Sequence, residues 1–260
     1  MCAKGLALAE IRETVIQPIR GWNSLQLPAI WEYRELLYFL VWRDIKVRYK
    51  QTLLGVAWIV LQPLLSTVVF TLLFGVLLRA PSDGAPYALF ALAGLVPWQY
   101  FSGSLSRVGT SLVNSAHLIT KVYFPRLVIP LSGVMSMLVD FTIGFGALAV
   151  LLIAYRVPLT LHVLWLPAFL LLGIVTALGF GLWLAALNVR YRDVNYLIPF
   201  LLQIWMYLTP VVYGSTLIPE RFRFLLAINP MTAVVEGFRW ALLSGSMPEF
   251  TPPASLSALS

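Results

Sequence analysis

Few residues in this sequence could carry acid–base or nucleophilic chemistry within its apolar segments. Asp140, in MSMLVDFTIGFG, is the one ionisable residue well inside a long apolar run, and His117 and His162 lie near opposite ends of such runs. An active site needs a nucleophile or an acid–base pair held at one depth. The single cysteine, Cys2, has no second cysteine for an internal disulfide and no partner for a metal site. The sequence therefore predicts neither a catalytic nor a metal centre.

Asp140 has two interpretations. A carboxylate is costly in lipid, so it should face the interior of a helical bundle. There it could line a transport pathway, or it could make a structural hydrogen bond to a neighbouring helix. A proton-coupled secondary transporter usually has several such groups together with internal repeats, and this sequence has one such group and no convincing repeat.

Nucleotide binding by this chain is not expected. A phosphate-binding loop needs glycine, then lysine, then serine or threonine. The four lysines follow other residues, namely Ala, Ile, Tyr and Thr, at Lys4, Lys46, Lys50 and Lys121. If the protein moves a substrate uphill, another chain must supply the energy.

The composition predicts an all-α membrane protein, because 60% of the residues are hydrophobic and only 11% are charged. The net charge of +7 does not indicate nucleic-acid binding, because the basic residues gather at the ends of apolar runs. A polytopic helical bundle with five transmembrane helices is expected, at about 53–78, 86–108, 128–154, 163–188 and 194–213. The eleven residues after Glu249 are too few to cross a bilayer, so the residues alone predict five spans with an exported C-terminus.

Residues 29–52 have the pattern of an amphipathic helix that lies at the membrane interface. Residues 1–28, which precede it, are expected to form a cytoplasmic tail. Its acidic and basic residues at 32, 35, 43, 46 and 50 share one arc of the helix. Arg48 falls outside this arc and is expected to extend toward the lipid headgroups. The alternative is an ordinary charged flank before a span. The basic residues assigned to this helix are Arg43, Lys46, Arg48 and Lys50.

The distribution of basic residues predicts how the chain is oriented in the membrane. Of the 18 lysines and arginines, about thirteen fall on the N-terminal side of the predicted membrane and about five on the other, so the N-terminus is expected in the cytoplasm. Residues 214–250 are too charged to span and are expected to re-enter the outer leaflet as short helices that gate the exit. The residues assigned to that gate are Asn229 and Pro230 at its turn, with Glu236 and Arg239.

Five segments in order resemble a known family. They are RDIKVRYKQTLLGVAWIVLQPL (43–64), KVYFPRLVIPLS (121–132), NVRYRDVNY (188–196), YLTPVVY (207–213) and INPMTAVVEGFR (228–239). Together they resemble permease subunits of type 2 ABC exporters that export O-antigen, capsule or teichoic acid polysaccharides. Such permeases are expected to have a sixth span that returns the C-terminus to the cytoplasm, so the resemblance implies that residues 251–260 are the truncated start of that span.

The resemblance implies a bacterial cytoplasmic (inner) membrane protein that pairs with a second copy of itself and with ATPase subunits. ATP and Mg would bind to the ATPase subunits, no cofactor would bind to this chain, and a lipid-linked polysaccharide would pass between the two permeases. One alternative is a type 2 permease for a drug or another lipid-linked molecule. Another is a membrane enzyme or scaffold without transport.

The loop at 109–127 is expected to hold a short amphipathic helix that contacts the ATPase, and the resemblance points to the same loop. Leu112, Ala116, Ile119 and Tyr123 would form its apolar face. The coupling residues assigned there are Asn114, Ser115, His117, Ile119 and Lys121.

Aromatic residues are candidates for the pore lining, because rings suit the C–H faces of pyranose sugars. The candidates are Trp58, Trp98, Tyr100, Phe101, Trp205 and Tyr207. Tryptophan and tyrosine also form belts at membrane interfaces, so some of these residues belong there instead.

Overall fold

The computed structural model describes residues 27–50, 57–78, 84–219 and 223–243. These residues form helices and connecting loops, with no strand among them, which confirms the all-α prediction. The α-helices are α1 (Leu27–Glu32), α2 (Arg34–Tyr49), α3 (Ala57–Phe70), α4 (Tyr87–Asn114), α5 (Ala116–Lys121), α6 (Val128–Ala154), α7 (Leu166–Arg190), α8 (Val194–Leu208), α9 (Arg223–Ile228) and α10 (Pro230–Leu243). A π-helix (Thr71–Leu77) continues α3, and 3-10 turns form at Leu161–Trp165 and Ser215–Leu217.

Helix α4 is the centre of the bundle. It packs against α3, α6, α7, α8 and α10. Its first half, with the sequence YALFALAGLVPWQYF, is almost wholly buried within the protein, and Leu89, Leu92 and Phe101 are fully buried. Such a helix is apolar on every side because it contacts protein on every side. The core of the protein therefore surrounds one long helix.

Among the described residues, three helical segments are long and apolar enough to cross a membrane: Ala57–Leu77, Val128–Ala154 and Leu161–Arg190. Helix α8 is shorter, with 15 residues, and α4 is long but polar in its second half. The predicted spans correspond in order to α3, α4, α6, α7 and α8. The count of five spans stays a prediction, and residues 1–26 and 244–260, with the predicted tail and sixth span, lie outside the described residues.

Helix α2 packs lengthwise along α6 and does not cross it at a steep angle. Near its middle, Leu40 packs in a cluster with Val128 and Ile129 at the start of α6. At its end, Arg48 pairs with Asp140, eleven residues further along α6 than Ile129, a rise of about 16 Å. A helix lying across α6 would contact it at one point only. Helix α2 therefore runs along α6, and its place at the membrane interface stays a prediction.

Candidate functional site

A charged cluster joins α2 to α6. Arg48 forms an ion pair with the carboxylate of Asp140, and the hydroxyl of Tyr49 donates a hydrogen bond to the same carboxylate. Asp140 thus faces the bundle interior as expected. Its contacts with α2 support the structural interpretation of its role, in which it holds a neighbouring helix. The prediction that Arg48 extends to the headgroups is corrected, because its side chain turns toward the carboxylate and is only 20% exposed.

The other basic residues of α2 point outward. Arg43 pairs with the adjacent Asp44 at 2.9 Å. Lys46 and Lys50 are exposed. The same helix also exposes Trp42 and neighbouring aromatic residues, and aromatic and cationic side chains together are typical of a membrane interface. Arg43, Lys46 and Lys50 are therefore available to headgroups, in contrast to Arg48.

Helix α5 forms within the predicted coupling loop, immediately after α4. Asn114, His117 and Lys121 are exposed, whereas Ser115 is partly buried at the junction between α4 and α5. Ile119 is also partly buried, because it packs with Leu118 on the cluster formed around Leu40. This cluster attaches α5 to α2 and α6.

The apolar face of this loop differs from the one predicted. Ala116 and Tyr123 are exposed, and the residues that point inward are Leu118, Ile119 and Phe124. The predicted spacing assumed one continuous helix from residue 112 onward. The helix is interrupted at Ser115, between α4 and α5, and ends again at Val122. The apolar faces before and after each interruption are therefore rotated relative to one another.

Asn229 separates α9 from α10 and holds this junction to α8. Its Oδ1 accepts hydrogen bonds from the indole Nε1 of Trp205 at 2.9 Å and from the backbone N–H of Met231 at 3.1 Å. Its Nδ2 donates to Thr209 Oγ1 at 2.9 Å. Pro230 then begins α10, where its lack of an N–H costs nothing in a first helical turn. The described part of the predicted gate segment therefore consists of the 3-10 turn at Ser215–Leu217 and two α-helices that meet at Asn229.

Arg239 is buried in α10, with 3% of its surface exposed. Its Nε donates to the carbonyl oxygen of Phe90 at 3.1 Å, Nη1 donates to the carbonyl of Pro210 at 2.7 Å, and Nη2 donates to that of Val211. Glu236, one helical turn earlier, is also buried. The arginine thus ties α10 to α4 and to the loop after α8.

The six aromatic candidates divide into three groups by their exposure. Trp98, Tyr100 and Phe101 are buried in the core of the protein, and a buried ring cannot contact a substrate in a passage between two copies, so these three assignments are corrected to core positions. Trp205 is half-buried and packs edge-on against Phe101. Trp58 and Tyr207 are exposed and remain candidates.

A polar contact that the sequence did not predict joins α4, α7 and α8. Asn188, which is 1% exposed, donates through Nδ2 to the carbonyl oxygen of Gly109 and to Asn195 Oδ1, both at 3.0 Å. Both asparagines belong to NVRYRDVNY, which contributed only to the family resemblance. Asparagine at both ends of a helix–turn–helix segment was the available signal for such a contact.

Comparison with known proteins gives a consistent result. The family model described as "ABC-2 type transporter" matches residues 35–243. The O-antigen export system permease protein RfbA of Myxococcus xanthus is 35% identical over 233 residues, which cover 89% of each chain. A protein of the same name from Klebsiella pneumoniae is 30% identical over 82% of each chain. The polysialic acid transport protein KpsM of Escherichia coli is 24% identical over 80% of this chain and 81% of its own.

Proposed function

The chain belongs to the ABC-2 type transporter family, and we propose from that premise that it exports a lipid-linked polysaccharide across the bacterial cytoplasmic membrane, with its N-terminus in the cytoplasm. The observation that carries this proposal is the 35% identity to an O-antigen export permease over 89% of both chains. A match of that length includes α2, the spans and the segment around Asn229. The relative with 24% identity is also a polysaccharide transport protein, which supports the same class of substrate.

The packing of the bundle supports a passage between two copies of the chain. Helix α4 occupies the centre of the protein, and the side chains of its first half are buried against its neighbours. A sugar chain could pass through the middle of one copy only if this core came apart. Two copies that face each other could enclose a passage without disrupting either core. Exposed Trp58 and Tyr207 are the aromatic candidates for its lining.

The exposed surface of α5 supports a contact with a separate ATPase subunit, to which ATP and Mg would bind. Asn114, His117 and Lys121 are available on this surface. Behind it, Leu118 and Ile119 pack on the cluster that includes Leu40. A push on α5 would therefore reach α2 and α6 through contacts between packed side chains. It would reach α4 through the backbone, because only Ser115 separates the two helices. Ile119 would act through this packing rather than by touching the ATPase.

Inactivation of the gene in its native host tests the proposed function. The mutant should lose its surface polysaccharide and accumulate the lipid-linked polymer inside the cell, and a plasmid copy of the gene should restore export. A copy that carries His117→Glu should reach the membrane in equal amount without restoring export. A mutant that keeps its surface polysaccharide and accumulates no polymer would contradict the proposal.

A further inference from the structure

Helix α8 carries a stripe of exposed side chains along one side. Tyr196, Phe200, Gln203 and Tyr207 are exposed, and at about 100° per residue they fall within an arc of about 60°. From Tyr196 to Tyr207 the helix advances 11 residues, or about 16 Å. The opposite side of α8 packs on the core of the protein. These four residues form the α8 stripe.

Gln203 indicates what the α8 stripe faces. It lies near the middle of α8, which is the predicted fifth span. A side-chain amide that faced lipid there would have no hydrogen-bond partner, which is costly. The aromatic belts at membrane interfaces account for tyrosine at the two ends of a span, but not for glutamine between them. The stripe is therefore suited to face polar groups and not lipid.

The side chains of the α8 stripe are too bulky for close contact with a second copy. Helices that pack closely in a membrane have glycine, alanine, serine or threonine at the contact, whereas this stripe has three aromatic rings and a glutamine. An open cavity of about 420 Å³ lies beside its first half, lined by residues that include Asp193, Tyr196 and Phe200. This volume lies within the range of small-molecule sites. The stripe thus has space in front of it for a ligand.

We propose that the α8 stripe binds sugar residues of the polymer during export, an inference that rests on the proposed function. The rings of Phe200 and Tyr207 stack on the C–H faces of pyranose rings. Between them, the amide of Gln203 donates hydrogen bonds to sugar hydroxyl groups and accepts hydrogen bonds from them. A chain of sugars offers both kinds of surface repeatedly, whereas an acyl chain offers only an apolar one. The stripe thereby forms one wall of the passage between two copies.

Photo-crosslinking in the native host tests this proposal. The chain is produced from a plasmid with p-benzoylphenylalanine in place of Phe200 or Tyr207, in a strain that lacks the chromosomal gene. After irradiation, an antibody against the surface polysaccharide detects polymer attached to the chain. The matched control has p-benzoylphenylalanine in place of Trp183, an exposed aromatic residue of α7. A second comparison adds Gln203→Leu to the chain labelled at position 200, with Leu208→Ala, at an exposed position beside the stripe, as its control.

The expected result is polymer attached at positions 200 and 207 and not at position 183. Gln203→Leu should lower the yield at position 200 about two- to tenfold, because a hydrogen bond to the sugar is lost, and Leu208→Ala should leave it unchanged. If the label at 200 or 207 stops export, a label in place of Tyr196 decides.

Attachment mainly to a second copy of the chain, or equal yields of attached polymer at all three labelled positions, would overturn the proposal. The proposed function would still stand in that case, provided that the unlabelled chain restores export in the same strain. Failure of the unlabelled chain to restore export would instead contradict the proposed function, and this inference with it.

Discussion

The guanidinium group of Arg239 lies over the ring of Phe90, with its Cζ atom 3.6 Å from the ring centroid. The same arginine donates to the carbonyl oxygen of Phe90 at 3.1 Å. One residue of α10 thus contacts both the side chain and the backbone of one residue of α4, and its remaining donors bind the loop after α8. Cation–π contacts that are shielded from water are stronger than exposed ones. This contact fixes α10 against the centre of the bundle.

Replacement of Arg239 by glutamine should destabilise the protein by about 3 kcal/mol or more, because several buried carbonyl oxygens would lose their donors. Lysine should give an intermediate loss, since it keeps the charge but not the planar fork. Thermal unfolding in detergent measures the effect. Arg190→Gln, at an exposed position, is the control. Equal melting temperatures for Arg239→Gln and Arg190→Gln would show that the buried contacts of Arg239 contribute little.

The substitution Gly94→Ala should disturb the same region from α4. A Cβ atom at Gly94 would lie 2.5 Å from the carbonyl oxygen of Val211 and 2.7 Å from Arg239 Nη2. Because Val211 presents backbone there, the loop after α8 would have to move, at a cost of about 1–3 kcal/mol. Gly179→Ala is the matched control, since a Cβ at Gly179 meets nothing within 4 Å and alanine favours a helix. Unfolding curves in which both variants equal or exceed the wild type would contradict the close packing at Gly94.

Charge at the exposed surface of α5 should separate export from folding. His117→Glu and Lys121→Glu should abolish export and transport-linked ATP hydrolysis while leaving membrane insertion intact, because both side chains are exposed. Ile119→Glu should instead lower the stability, because Ile119 packs on the cluster around Leu40. Surface polysaccharide, ATP hydrolysis with the partner subunit and melting temperature together distinguish the two effects. Normal export by both His117→Glu and Lys121→Glu would refute the coupling role of α5.

How far the sequence could predict this structure is visible in individual elements. The predicted third span, 128–154, coincides with α6 (Val128–Ala154), because a long apolar run bounded by polar residues identifies a helix by itself. The pairing of Arg48 with Asp140, 92 residues apart, could not be predicted, because helical periodicity does not say which neighbour a face contacts. The burial of Trp98 could not be predicted either. An aromatic residue in an apolar helix suits a core, a pore and a lipid surface equally well.

Alkaline pH should weaken the contact between α2 and α6. Burial, followed by the hydrogen bond to the Asp140 carboxylate, raises the pKa of Tyr49 from 10.0 to about 12. The folded protein therefore favours the neutral phenol. This contribution to stability is complete below pH 10, and it is lost as the pH rises from 10 through 12. The difference in unfolding free energy between the wild type and Tyr49→Phe should shrink over that range. A constant difference from pH 9 to pH 12 would contradict the burial of the Tyr49 hydroxyl.

We propose that this chain, together with an ATPase, moves a lipid-linked polysaccharide across the membrane. Inverted membrane vesicles that contain the chain, its ATPase and the labelled lipid-linked polymer would measure this movement directly, with an antibody that cannot cross the membrane detecting the polymer left outside. Added ATP should make the polymer inaccessible to the antibody in wild-type vesicles and not in vesicles with His117→Glu. Equal accessibility with and without ATP in wild-type vesicles that contain both subunits would contradict the claim.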